Sequence, residues 1–231
     1  MTRPRLSTRL RFGVAALLLA VGAAASAAVA PGLPERMVTT WNGAGEPTGT
    51  LPRTLGMWLV PGLGAGLVAL FALLPRIDPL GENVAAFRVH YDRFVVVISA
   101  FLTVVHLAVL AVNLGYAVDV TTLALAGAAG LYYYLGTLLP HVGPNWFIGI
   151  RTPWTLSDDD VWERTHALGA RLFKLSALIA AGGLAFGEYA VYFLVGPALA
   201  TAAVSVTYSY VLYARGEREA DAGDEVGRTA E

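Results

Sequence analysis

The sequence predicts an all-α integral membrane protein of six transmembrane helices with both termini cytoplasmic. Three observations lead there. Of 231 residues, 56% are hydrophobic and 14% charged, outside the usual range of a soluble domain. Uncharged apolar runs recur at close to the roughly 20 residues a helix needs to cross about 30 Å of hydrocarbon. Basic residues concentrate in every second connecting segment, as the retention of positive flanks in the cytoplasm requires.

The apolar runs cover 12–30, 55–74, 94–113 and 120–139, and none contains a formal charge. The run 175–186 is too short alone, so the fifth span is expected to begin near Gly169, with Arg171 and Lys174 snorkelling to the interface. The sixth covers 189–213, and the three residues 186–188 before it force a tight antiparallel hairpin. Of the 16 Lys and Arg residues, only Arg36 and Arg53 fall in the alternate segments, which places the first loop outside and the loop after the fourth span inside. The opening stretch also has the shape of a secretory signal ending at Ala28-Val29-Ala30; cleavage there would leave five spans. The expected organisation is a two-span unit over 1–80, a four-span domain over 81–214 and a disordered acidic tail over 215–231.

Some features read as packing. Gly62 with Gly66, and Gly183 with Gly187, are small-xxx-small pairs that let helices approach. His106 and Asn113 are polar groups within a span and are expected to face the bundle interior, with an internally bonded imidazole preferred over a proton relay or metal ligand. There is no cysteine, so disulfides and thiolate metal sites are excluded.

Two loops carry content. The first, "PGLPERMVTTWNGAGEPTGTLPR", is rich in Pro and Gly, so long helix or regular strand is not expected. Pro34 and Pro47 fix φ and hold Trp41 and Asn42 near the membrane surface. This is either a rigid connector anchored by Trp41 or a surface that meets an outside molecule.

The second is "NWFIGIRTPWTLSDDDVW". Ser157 precedes Asp158, Asp159 and Asp160, so a capped, dipole-matched helix is expected to start there. Val161, Trp162, Thr165, Leu168, Gly169, Leu172 and Phe173 share one arc of it, which predicts an amphipathic helix lying along the cytoplasmic interface before the fifth span. Asp160 and Arg164 stand at i, i+4, and His166 lies beside Trp162. Pro153 biases Thr152 to extended backbone, so Arg151 and Trp154 are expected on a strand-like segment. Stacked between Trp146 and Trp154 and paired with Asp158 or Asp159, Arg151 would form a clasp. Such a clasp serves equally as structure or as a partner-docking surface.

This second motif, with "FGEY" at a later span boundary, resembles the SdpI-type bacterial immunity and signalling proteins. The matching positions are Asn145, Gly149, Arg151, Thr152, Pro153, Trp154, Thr155, Leu156, Asp158, Val161 and Trp162. The first loop resembles the domain of unknown function that commonly precedes that family, through its Leu-Pro, Trp-Asn and Gly-x-Pro landmarks, although Thr40 and Thr48 stand where many relatives have His and Asp. The resemblance runs from Leu33 to about Tyr213. It implies a six-span inner-membrane protein that protects its host from a secreted membrane-active peptide toxin and holds a cytoplasmic transcriptional repressor at the membrane.

The expected inner surface is therefore Asn145, Arg151, Thr152, Pro153, Trp154, Asp158 and Trp162, and the expected outer one Trp41, Asn42 and Pro47. The expected partners are an external peptide toxin or other ligand, a cytoplasmic repressor and membrane lipid. No catalytic, cofactor or metal site is expected. A small transporter or channel is the rival reading, although formal charges within the spans are nearly absent. An interfacial Mg²⁺-dependent lipid enzyme using Asp158 to Asp160 lacks a second acidic cluster of matching spacing. Nucleic-acid binding has no basic patch behind it.

Overall fold

A computed structural model describes residues 7–229, with side chains described as far as residue 219. Eight helices run in the order α1 (Thr8–Val29), α2 (Arg53–Ile77), α3 (Gly81–Ala86), α4 (Arg88–Asn113), α5 (Val120–Leu138), α6 (Pro153–Ser157), α7 (Asp159–Gly183) and α8 (Ala190–Thr229). Side chains start several of them. The Ser7 hydroxyl accepts from the Leu10 amide, and Asp119 accepts from the Thr122 amide at 2.9 Å, each satisfying a donor that a helix start leaves free.

Five helical stretches are long and apolar enough to cross a membrane, and the fifth, Asp159–Glu219, contains both α7 and the start of α8. Within it a 3-10 turn, Leu184–Tyr189, folds the chain back at Gly187, whose φ of +57 favours glycine. Ser176 on α7 meets Thr201 on α8 at 3.0 Å, and Gly183 packs against Phe193, so the two helices run antiparallel. Leu17, Leu63, Leu178 and Leu199 are each about two-thirds exposed (64–66%); these faces suit lipid and not water.

Helix α1 packs on α2 and α4, while α7 packs on α5 and α8; α4 against α5 joins the two groups. One apolar core, built from Val84, Phe87, Tyr91, Val95, Leu138, Val142 and Trp162, lies at the end that carries the chain termini. A second, including Leu33, Met37, Met57, Val109 and Val120, lies at the opposite end. Between them the Ser26 hydroxyl donates to the Met57 carbonyl at 2.8 Å and accepts from His106 Nε2 at 2.7 Å, so His106 is internally bonded as expected.

The first loop differs from its expectation. It forms an antiparallel hairpin of β1 (Arg36–Trp41) and β2 (Pro47–Pro52) with irregular register around Thr40. The prolines are tolerated because a two-stranded ribbon leaves edge groups free of ladder bonds. Asn113 anchors the hairpin to the bundle: its side-chain amide accepts from the Val38 N–H at 2.8 Å and donates to the Val38 carbonyl at 2.9 Å, as a neighbouring strand would.

Four further expectations need correction. The amphipathic stretch is not a separate interfacial helix: α7 is continuous from Asp159 to Gly183, and Val161, Trp162, Thr165 and Gly169 of its arc are buried in protein. No proline interrupts it, and of the lipid or neighbouring spans that the sequence left open as its cover, it meets protein: α5 and the loop before α7. A Cβ at Gly62 or Gly66 would meet nothing within 4 Å among the described residues, while one at Gly64 would strike Leu19. Residues 153–157 are a short helix, not strand-like, because Thr152 and Thr155 cap it reciprocally. The segment from Arg215, expected to be disordered, is continuous with α8 through Thr229, and residues 230–231 lie outside the described residues.

Candidate functional site

The second motif folds as a loop over the end of the bundle that carries the termini. Asn145 organises its first part. Fully buried, its side chain donates to the carbonyls of Gly143 and Ile148, both at 2.9 Å, and accepts from the amides of Phe147 at 3.0 Å and Ile148 at 2.6 Å. Four bonds saturate one amide and leave the loop a single arrangement. Neighbouring segments hold it from outside: Asp78 accepts from the Trp146 amide at 3.1 Å, and Asn83 donates to the Pro144 carbonyl at 2.7 Å.

His166 organises the second part. Its ring stacks on Trp162 with centroids 4.1 Å apart. The Ile150 amide donates to Nε2 at 3.1 Å, so Nδ1 carries the proton and donates to the Trp162 carbonyl at 2.8 Å. Trp162 in turn donates from its indole to the Val142 carbonyl at 2.8 Å. Gly149 permits the approach: its φ is +107, and a Cβ there would strike the imidazole.

The third part is hydroxyl-bonded. Thr152, extended as expected with φ −113 and ψ 162, and Thr155 exchange amide-to-hydroxyl bonds at 2.9 and 3.1 Å. Thr152 Oγ1 then donates to Ser209 on α8 at 3.1 Å, and Trp154 lies against Tyr210, centroids 5.0 Å apart. The loop is thereby tied to α7 and α8 together.

The cap of α7 is Asp158, whose carboxylate accepts from the Val161 amide at 2.9 Å; Ser157, expected in that role, donates to the Trp154 carbonyl instead. The expected clasp is absent. Arg151 is exposed and donates to the Trp146 carbonyl, and the ion pairs among the described residues are Arg11–Asp92, Arg88–Asp92 and Arg164–Asp160. Arg151 lies five residues from that carbonyl, and Asp158 is already engaged on the helix. The i, i+4 pair Asp160–Arg164 forms at 3.1 Å on the surface.

The structure thus brings Asn145, Thr152 and Trp162 together as buried struts, leaves Trp154 half-buried, and presents Arg151, Pro153 and Asp158 outward. Trp146, 54% exposed, and Leu156, 47% exposed, add an apolar face beside them. His166, Asp78 and Ser209 were not among the expected residues. For His166 the spacing of four from Trp162 was the available signal; the other two are distant in sequence and gave none.

At the opposite end, Asn42 closes the hairpin. Its carboxamide oxygen accepts from the amides of Ala44 at 3.0 Å and Glu46 at 2.9 Å, and its carbonyl accepts from Thr121 Oγ1 at 3.2 Å. Gly43 sits against the Glu188 carbonyl, where a Cβ would come within 2.6 Å, so the hairpin tip rests on the turn between α7 and α8. Trp41 pairs with Pro47 across the ribbon and packs against the second core. Thr48 donates to Thr40 at 3.2 Å, a hydroxyl pair at the two positions where relatives are expected to carry His and Asp.

Comparison with known proteins agrees with the motifs. Residues 141–209 match the SdpI/YfhL protein family, and residues 17–65 match a domain of unknown function (DUF1648). The immunity protein SdpI of Bacillus subtilis (strain 168) is 25% identical over 182 residues, covering 78% of this chain and 85% of that protein. No solved structure matches. The long apolar helices, together with this relative, make the chain a multi-pass plasma-membrane protein. The chain is thus similar to the SdpI-type proteins: the folded loop and the α7–α8 hairpin fall in the segment that matches the SdpI/YfhL family, and the β-hairpin lies in the segment that matches the domain of unknown function.

Proposed function

We propose that the protein is a membrane immunity and signal-transduction protein of six spans, α1, α2, α4, α5, α7 and α8, with both termini in the cytoplasm. It confers resistance to a secreted membrane-active peptide toxin. The hairpin carrying Trp41, Asn42 and Pro47 meets the toxin outside. The loop carrying Arg151, Pro153 and Asp158 presents a surface inside that engages a cytoplasmic transcriptional repressor.

The relative named as an immunity protein, aligned over most of both chains, carries this reading. The charge distribution supports the orientation, since Arg36 and Arg53 are the basic residues of the hairpin end and the other described ones lie towards the opposite end. The first helix is retained and not cleaved in this reading, because Arg11 and Ser26 bond into the bundle at Asp92 and His106. The α7–α8 hairpin connects the two surfaces: the β-hairpin tip rests on its turn, and Thr152 and Trp154 bind its far end. A shift of α8 would be felt at both.

The test is survival of a sensitive strain challenged with a membrane-active peptide toxin, with and without this chain, followed by capture of cytoplasmic DNA-binding proteins on the chain before and after challenge. Protection with toxin-dependent capture is expected. Equal killing of both strains sinks the immunity reading, and protection without capture sinks the repressor arm.

A further inference from the structure

Two cavities on the outer face of α1 and α2 join at one residue. The first is an apolar groove of about 430 Å³ between the helices, walled by Ala16, Ala20 and Ala23 on α1 and by Pro61, Ala65 and Ala69 on α2. Its last lining residue, Ala72, also lines the second cavity, of about 410 Å³, whose other walls include Thr8, Pro75, Arg76 and Arg88. Small side chains open the groove, and two guanidiniums close its end.

The charged end is prepared for an anion. Arg88 is fixed on three sides: its Nε donates to Asp92 at 2.7 Å, and its guanidinium lies 5.7 Å from the Phe12 ring and 5.5 Å from the Tyr91 ring. Its terminal amino groups have no hydrogen-bond partner among the described residues. Asp92 is already shared with Arg11 at 3.3 Å, so one carboxylate faces two guanidiniums and positive charge remains in excess. Arg76, exposed, donates to the carbonyl of Ala72 and keeps further donors.

The surroundings say what the anion is attached to. Leu73 and Ile77, each about half exposed (47–50%), follow the cavity residues Ala72 and Arg76 along α2, so it opens at the level where hydrocarbon gives way to headgroups. From Ala72 to Pro61 a helix rises about 16 Å, close to half of a hydrocarbon core of about 30 Å. The groove therefore has the depth of one leaflet, with the positive charge at its polar limit. From this geometry we infer that the α1–α2 groove is a binding site for an anionic glycerophospholipid, with its phosphodiester on Arg76 and Arg88 and one acyl chain along the alanines.

The test uses the full chain in vesicles of phosphatidylcholine doped with phosphatidylglycerol or with more phosphatidylcholine of the same chains, followed by native mass spectrometry of retained lipid. Phosphatidylglycerol is expected to be retained in preference by about fivefold for each arginine engaged. Arg76→Gln should remove about fivefold of this and Arg76→Lys should restore part, while Arg36→Gln at the other end should change nothing. Ala69→Leu, which fills the groove without touching charge, should lower retention of both lipids. Equal retention of the two headgroups in the unaltered chain overturns the site. So does a preference that survives Arg76→Gln, or one that inorganic phosphate at millimolar concentration erases, since that would make the ligand a free anion.

Discussion

The backbone amide of Ile150 donates to Nε2 of His166 across 3.1 Å, joining the loop after α5 to the first turns of α7 sixteen residues later. This bond needs the imidazole neutral, with its other nitrogen donating to the Trp162 carbonyl, and it needs the chain to arrive close above the ring. Gly149 makes that arrival possible.

Gly149→Ala should therefore destabilise the fold more than the same change at another glycine of positive φ. At Gly149 the added Cβ meets both a φ of +107 and the His166 ring, whereas at Gly115, with φ +91, nothing lies within 4 Å. Backbone strain alone costs about 1 kcal/mol or somewhat more, and the clash raises the Gly149 change to about 2–4 kcal/mol. Denaturant unfolding in detergent measures both. Equal losses at the two positions would show that the His166 contact is not formed.

Asp92 should be the least tolerant acidic residue. It is fully buried and faces Arg11 and Arg88 at 3.3 and 2.7 Å. Asp92→Ala leaves two guanidiniums without their counter-ion, a loss of about 3–5 kcal/mol. Paired replacement of Arg11 and Asp92 by Leu should recover part of it. The check is the yield of folded protein and its unfolding midpoint for the three forms; a single Asp92→Ala as stable as the parent would disprove the triad.

Much of this was legible in the sequence, and the reasons for the rest are physical. Helix positions followed from uncharged runs of membrane length, and the hairpin of α7 and α8 from the three residues left to turn the chain. The burial of α7's first turns was not legible. An apolar arc has the same pattern whether lipid or protein covers it, and the cover here comes from a loop whose path is set by Asn145 and His166. The β-hairpin was hidden by its prolines, which argue against strand wherever an edge is not free, and by Asn113, a partner 75 residues away. The Arg151 clasp was read from side-chain types alone; the backbone carbonyl that Arg151 actually reaches leaves no mark in a sequence.

Arg151 and Asn145 should separate function from fold. Asn145→Ala removes four bonds within the loop and should cost about 2–4 kcal/mol, with protection lost as a consequence. Arg151 is exposed, so Arg151→Ala should change stability by about 0.5 kcal/mol or less and leave membrane insertion intact, yet abolish protection or partner capture. Survival assays beside unfolding midpoints make the distinction. An Arg151→Ala protein that still protects and still captures its partner removes this loop surface from the mechanism.

Orientation underlies the assignment of outer and inner surfaces, and the absence of any native cysteine makes it directly measurable. Thr155 is buried, so a reporter there would be silent on either side of the membrane. Ser157 and Ala44 are both exposed, one on the folded loop and one at the hairpin tip. In intact cells a membrane-impermeant maleimide should modify Ala44→Cys and spare Ser157→Cys, and permeabilisation should make both reactive. The sequence contributes the physical reason: fourteen of the sixteen basic residues fall in the segments that alternate with the first loop, and carrying them outward would oppose the charge bias that orients short loops. Labelling of Ser157→Cys in intact cells, with Ala44→Cys protected, would invert the protein and put the folded loop where a toxin, not a repressor, could reach it.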